Sequence, residues 1–158
     1  EVKPTDIREI IEKTSSMFGR TRKEIAIHRK YAQDLRGVEV DRGQMEQVFV
    51  NLVSNAIDAI DEKRAHPEIA DRNRRLRIRS YADSGQVVAE VSDTGIGMPE
   101  HVRSKLFEPF FTTKGTGKGT GLGTSISYGI VRDYDGRIDV ESAPGHGANF
   151  KLTFPQAP

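Results

Sequence analysis

Residues 42–61, Arg-Gly-Gln-Met-Glu-Gln-Val-Phe-Val-Asn-Leu-Val-Ser-Asn-Ala-Ile-Asp-Ala-Ile-Asp, decide how this chain folds. At about 100° per residue, Met45, Val48, Phe49, Leu52, Val53, Ala56 and Ile60 fall on one arc, the pattern of a helix with one face in a core. Gln44, Gln47, Asn51, Asn55 and Asp58 form a polar arc beside it. Asp41 stands where an N-cap belongs. The stretch therefore predicts a long helix with a row of amides and a carboxylate along one margin of its buried face.

Outward from this helix the pattern alternates between periods. Ile7, Ile10, Ile11 and Phe18 predict a helix over 5–20, behind Pro4. Residues 24–32 and 38–40 predict strands, and 62–74 a polar loop. Residues 76–81 and 86–92 predict a strand pair around Asp83-Ser84-Gly85. A short helix is expected over 98–107 and another over 124–134. Strands over 137–141 and 148–154 flank Pro144-Gly145-His146-Gly147. Helices and strands mixed in this order predict an α+β fold, a two-layer α/β sandwich with a mixed sheet against a helical layer. No repeat or linker divides the 158 residues, so 1–158 is expected to be a single domain.

Composition removes several function classes. The chain has no Cys, which excludes a disulfide framework, a thiolate nucleophile and Cys-ligated metal. Lys plus Arg is 24 and Asp plus Glu is 23, a net charge of +1 that argues against coating nucleic acid or an anionic membrane. The basic run 72–79 alternates with Leu76 and Ile78, as a half-buried strand with a solvated face does. No apolar run reaches membrane-spanning length.

Three features carry possible chemistry, each with a plainer alternative. Asn51 and Asn55, at i and i+4, share a face, and amide oxygens are hard ligands suited to Mg²⁺ that also holds phosphates. Solvent-facing polar residues are the alternative. Asp93-Thr94-Gly95-Ile96-Gly97 ends a predicted strand. Asp93 there is either an Asx-turn residue or a buried acceptor for a ligand amino group, with Gly95 and Gly97 letting the ligand lie against backbone. Residues 115–123 hold five glycines in nine residues and lead into a helix, where free N–H groups favour anions. A surface linker is the alternative.

Taken in order, these features resemble the ATP-binding catalytic domain of two-component sensor histidine kinases, within the superfamily that includes gyrase and a heat-shock chaperone. Asn51-Leu52-Val53-Ser54-Asn55-Ala56 is similar to that family's Asn motif, and Asp93-Thr94-Gly95-Ile96-Gly97-Met98 to its adenine motif. Leu106-Phe107-Glu108-Pro109-Phe110-Phe111 is similar to its Phe motif, and Gly119-Thr120-Gly121-Leu122-Gly123 to its second glycine motif. The resemblance covers roughly 40–155, and its Phe-Phe-Thr-Thr-Lys ending is closest to the nitrogen-regulatory and dicarboxylate-sensing branch. Asp58, Thr124 and Ala148 stand where many members carry a basic residue, an alkyl residue and Thr, respectively.

The resemblance implies that the helical layer holds ATP and that γ-phosphoryl passes to a histidine on a separate dimerisation domain, then to a response regulator. It implies that Asn55 holds Mg²⁺, with Asn51 supporting metal and phosphates, and that Asp93 reads adenine. Ile57, Ile96, Met98, Leu106 and Phe110 would wall the base. Gly119, Thr120, Gly121, Leu122 and Gly123 would bind phosphate, and Lys114 and Thr113 would reach the γ-phosphate. None of His28, His66, His101 and His146 precedes an acidic residue as an acceptor histidine does. The chain is thus expected to be a cytoplasmic fragment of a longer kinase, without nucleic-acid or membrane contact, inactive in autophosphorylation until joined by its acceptor domain. The alternatives are an autonomous ATPase of the gyrase or chaperone kind, and a degenerate nucleotide-sensing module. Hydrolytic relatives carry Glu as the base for water where this chain has Asn51.

Overall fold

The computed structural model describes residues 1–69, 73–109, 111 and 122–158. Among the described residues, five strands form the main sheet, in the order β2-β4-β5-β7-β6. These are β2 (Ala26–Tyr31), β4 (Arg75–Asp83), β5 (Gln86–Asp93), β7 (Ala148–Pro155) and β6 (Arg137–Ser142). β2 runs parallel to β4, and the other neighbours are antiparallel. A mixed sheet results, as expected from the sequence.

One face is covered by α1 (Ile7–Thr21), α2 (Arg42–Arg64) and α4 (Leu122–Asp133). The apolar arc of α2 is the centre of the core. Met45, Val48, Phe49 and Val53 are wholly buried, against Ile10 and Ile11 of α1 and Leu76, Ile78, Val91 and Leu152 of the sheet. On the opposite sheet face Arg75 and Arg77 are exposed, flanking buried Leu76 in sequence, while Val88, Glu90 and Thr153 on the neighbouring strands are buried. Arg79 Nη2 there donates to Glu90 at 2.9 Å. From Arg75 onward the basic run is a strand face, as its alternation predicts, and Arg72 lies outside the described residues.

Several expected boundaries move. Residues 2–5 form a strand, β1 (Val2–Thr5), antiparallel to β3 (Val38–Asp41) in a separate two-stranded sheet. The expected helix therefore starts later, and Asp6 caps it by accepting from Arg8 N at 2.9 Å. Pro4 is tolerated because, among the described residues, β1 has only one neighbouring strand. α2 continues three residues past Asp61 into the expected loop. Buried Lys63 explains part of this, since its Nζ donates to Gly145 O at 3.1 Å and ties the helix end to the β6–β7 turn. The helix expected over 98–107 is reduced to α3 (Glu100–Arg103), and tight turns follow, with Lys105 N donating to Val102 O and Leu106 N to Arg103 O.

Candidate functional site

The polar margin of α2 faces a cavity of about 760 Å³, within the range of small-molecule sites. Asn51, Asn55 and Asp58 form one side. Asp93 stands at the end of β5, Ile96 and Met98 lie along the loop after it, and Leu106 follows α3. Gly123 and Thr124 open the far wall from α4, and Ala148 and Phe150 contribute from the core face of β7. Two of the three chemical features of the sequence thus meet across one space, although Asn51 and Asp93 are distant in the chain.

Asp93 is the electrostatic focus. It is only 9% exposed. Its Oδ1 accepts from Gly95 N at 2.8 Å, and the Ala148 backbone also donates to its carboxylate. Burial raises its pKa to about 6, against the pull of those two donors. Asp93 is therefore an Asx-turn residue whose buried carboxylate also lines the cavity.

The glycines around it serve close packing of backbone on backbone. Gly97 has φ +73°, and a Cβ there would lie 2.0 Å from Ala143 O. Gly147 has φ +72°, and its Cβ would lie 2.0 Å from Asp93 O. A Cβ on Gly95 would meet the Ala59 backbone at 2.6 Å. The space expected to admit ligand at Gly95 and Gly97 holds protein instead, and Gly97 still lines the cavity beside it. Hydrogen bonds complete the joint. Ile96 N donates to Ala59 O at 3.0 Å, Gly145 N to Ile96 O at 2.5 Å, and Met98 N to Ser142 Oγ at 2.8 Å. Ser142 Oγ in turn donates to Gly147 O at 2.7 Å.

At the other end the two asparagines join α2 to α4. Asn55 Nδ2 donates to Thr124 Oγ1 at 3.2 Å and lies 3.4 Å from Asn51 Oδ1. Ser127 Oγ donates to Asn51 Oδ1 at 3.4 Å. Gly123 makes room for this joint, since its Cβ would stand 2.4 Å from Asn51 Nδ2. Among the described residues no three His, Cys, Asp or Glu side chains converge as a metal cage. A cation here would depend on amide oxygens and on the ligand's own oxygens.

Not every expected residue reaches the cavity. Ile57 is core, 4% exposed, and Ala56 and Ala59 line the wall in its place. Leu122 opens α4. Phe110, Thr113, Lys114, Gly119, Thr120 and Gly121 lie outside the described residues. Thr124, Phe111, Ala148 and Phe150 line the cavity without having been singled out as ligand contacts. The inward alternation of β7 was a usable signal for Ala148 and Phe150. His66 also lines the cavity, with Nδ1 3.3 Å from Glu68, whereas His28, His101 and His146 are exposed and do not line it.

A family model described as the histidine kinase-, DNA gyrase B-, and HSP90-like ATPase matches residues 40–158. The chain belongs to this family. Among relatives of this ATPase domain, sensor kinase CckA of Brucella abortus is 40% identical over 142 residues, 85% of this chain and 15% of that protein. Sensory histidine kinase/phosphatase NtrB of Vibrio alginolyticus is 33% identical over 147 residues, 89% of this chain and 41% of that protein. The chain thus spans less than half of either relative. The catalytic domain of histidine kinase ThkA, in a nucleotide-free form, superposes with a TM-score of 0.81 at 31% identity, covering 100% of this chain and 99% of that one. The two-layer ATPase fold is therefore that of a histidine kinase catalytic domain. Among the described residues, no helix is long and apolar enough to cross a membrane.

Proposed function

We propose that the chain binds Mg–ATP in this cavity and delivers the γ-phosphoryl group to a histidine on a separate dimerisation domain of the same protein. A response regulator then takes the group, as in two-component signal transduction. The observation that supports this reading is the placement of buried Asp93 and the Asn51/Asn55 pair around a single cavity. In this reading residues 1–158 are one cytoplasmic catalytic domain of a longer kinase, with no nucleic-acid or membrane contact of its own.

Asp93 accepts the exocyclic amino proton of adenine. Ile96, Met98 and Leu106, with Phe110, exclude water from the base. The donor set around Asn55 and Asn51 fits Mg²⁺, because neutral amide oxygens are hard ligands and Gly123 leaves the asparagine side chains room. When bound, the ion offsets charge on the phosphates during transfer. Gly119, Thr120, Gly121, Leu122 and Gly123 offer backbone N–H groups to phosphate at the start of α4. Lys114 and Thr113 complete the γ-phosphate contacts. Phosphoryl transfer needs positioning and charge stabilisation more than covalent chemistry from the protein. Position 51 holds an amide that takes no proton, which favours transfer to a partner over hydrolysis.

The test is radiolabelled γ-phosphate transfer. The chain is incubated with labelled ATP alone and then mixed with the histidine-bearing helical domain. Acid-labile, base-stable label on that domain, and none on this chain alone, is expected. Rapid phosphate release by this chain, or label on His28, His66, His101 or His146, would overturn the kinase reading in favour of an autonomous ATPase or a self-contained kinase.

A further inference from the structure

The start of α4 meets the asparagine pair through side chains that a simple packing contact does not require. Thr124 and Ser127, at i and i+3, present their hydroxyls on one side of α4. Opposite them stand Asn51 and Asn55, at i and i+4 on α2. Their polar atoms form a continuous chain. Ser127 Oγ reaches Asn51 Oδ1 at 3.4 Å, Asn55 Nδ2 reaches the same oxygen at 3.4 Å, and Asn55 Nδ2 also reaches Thr124 Oγ1 at 3.2 Å. Ser127 is 1% exposed, whereas Thr124 is half-buried and lines the cavity.

An unrestrained asparagine amide has two flip states that exchange its oxygen and nitrogen. A hydroxyl can donate or accept, so it is Asn51 Oδ1 beside Asn55 Nδ2 that selects one of the two at Asn55, while the hydroxyls of Thr124 and Ser127 hold the two side chains in place. That choice matters at Asn55 because only the oxygen is a ligand for a hard cation. We propose that Thr124 and Ser127 are positioning residues for the metal-binding asparagines. Thr124 holds the Asn55 nitrogen toward α4, and Ser127 holds Asn51 as its neighbour. The same bonds tie the phosphate-proximal end of α4 to the metal side of the cavity. Metal and phosphate binding are thereby coupled through two hydroxyls. This inference rests on the assignment of Asn55 to Mg²⁺ made above.

The experiment measures binding, with no turnover. The dissociation constant of ADP for the 158-residue chain is determined by calorimetry with excess Mg²⁺ and again with a chelator, and the ratio of the two constants gives the metal-linked gain. Thr124→Val keeps shape and removes the hydroxyl, and is expected to shrink that gain roughly 3- to 10-fold, the weight of one hydrogen bond. Thr124→Ser should restore it, and Ser127→Ala should shrink it less. A merely structural contact would weaken both constants together and leave the ratio at the wild-type value, and that result would overturn the proposal. Asn55→Ala separates this failure from failure of the metal assignment. Loss of the gain in Asn55→Ala with an unchanged ratio in Thr124→Val refutes positioning alone, whereas an unchanged ratio in both refutes the metal assignment and the positioning with it.

Discussion

Gly147 packs so closely on Asp93 that a Cβ on it would stand 2.0 Å from the Asp93 carbonyl oxygen. The β6–β7 turn is thereby pressed against the strand end that carries the cavity's buried carboxylate. Gly147→Ala introduces both a left-handed residue with a side chain and a backbone overlap. We expect a loss of stability above ~2 kcal/mol, with weaker nucleotide binding. Gly145 is the internal control. It has φ +79° but open space where a Cβ would stand, so Gly145→Ala should cost only about 1 kcal/mol. Urea midpoints measure both, and equal losses would show that the overlap with Asp93 does not matter.

Adenine selectivity should follow from Asp93. Guanine presents a carbonyl where adenine presents an amino group, so acceptor would face acceptor in a buried site. An unpaired buried group costs roughly 1–3 kcal/mol, or about 5- to 150-fold in affinity. Asp93→Asn should weaken ATP binding while the domain stays folded. Calorimetric titration of ATP and GTP checks this, and equal constants for the wild-type chain would remove Asp93 from base recognition.

The raised pKa of Asp93, about 6 against an ordinary 3.8, makes two pH statements. The folded chain holds this proton more tightly than the unfolded chain. Its contribution to stability is therefore full below the unfolded value and is lost as pH rises through about 6. Nucleotide affinity should run the other way, because the ionised carboxylate is the better acceptor for the amino group, and ADP should bind more tightly as pH rises through the same window. Asp93→Asn should flatten that affinity profile. Calorimetry from about pH 5 to 8, with a phosphate-only ligand as reference, separates Asp93 from phosphate ionisation.

Asn55→Ala should abolish magnesium-dependent phosphotransfer in the presence of the acceptor domain. Asn55 lies on the margin of α2 outside the buried arc, so the core loses little packing. Circular dichroism should show a folded domain, and label transfer should be absent. Transfer at the wild-type rate would exclude Asn55 as the metal ligand.

Much of this architecture was legible along the chain because its signals are local. The apolar arc of α2 needed only the helical period, and its predicted core positions Met45, Val48, Phe49, Leu52, Val53, Ala56 and Ile60 are all buried. The strand alternation over 76–81 separated the buried residues from the arginines in the same way. β1 was not legible, because four residues containing a proline carry no period, and they become a strand only by pairing with residues 38–41.

The amino-acid sequence by itself determined the two-layer fold and the residue types of the site, since periodicity, capping and glycine spacing act over a few residues. Only the tertiary structure decided what those residues do to one another. It brought Asp93 and Asn55 around one cavity, filled the space beside Gly95 and Gly97 with backbone, and left Ile57 in the core. It also placed Thr124 and Ser127 against the asparagines, 69 positions away in the case of Asn55 and Thr124. Contacts at that separation depend on how α4 docks on α2 and how the β6–β7 turn closes on β5. Those are outcomes of whole-core packing, to which no local pattern corresponds.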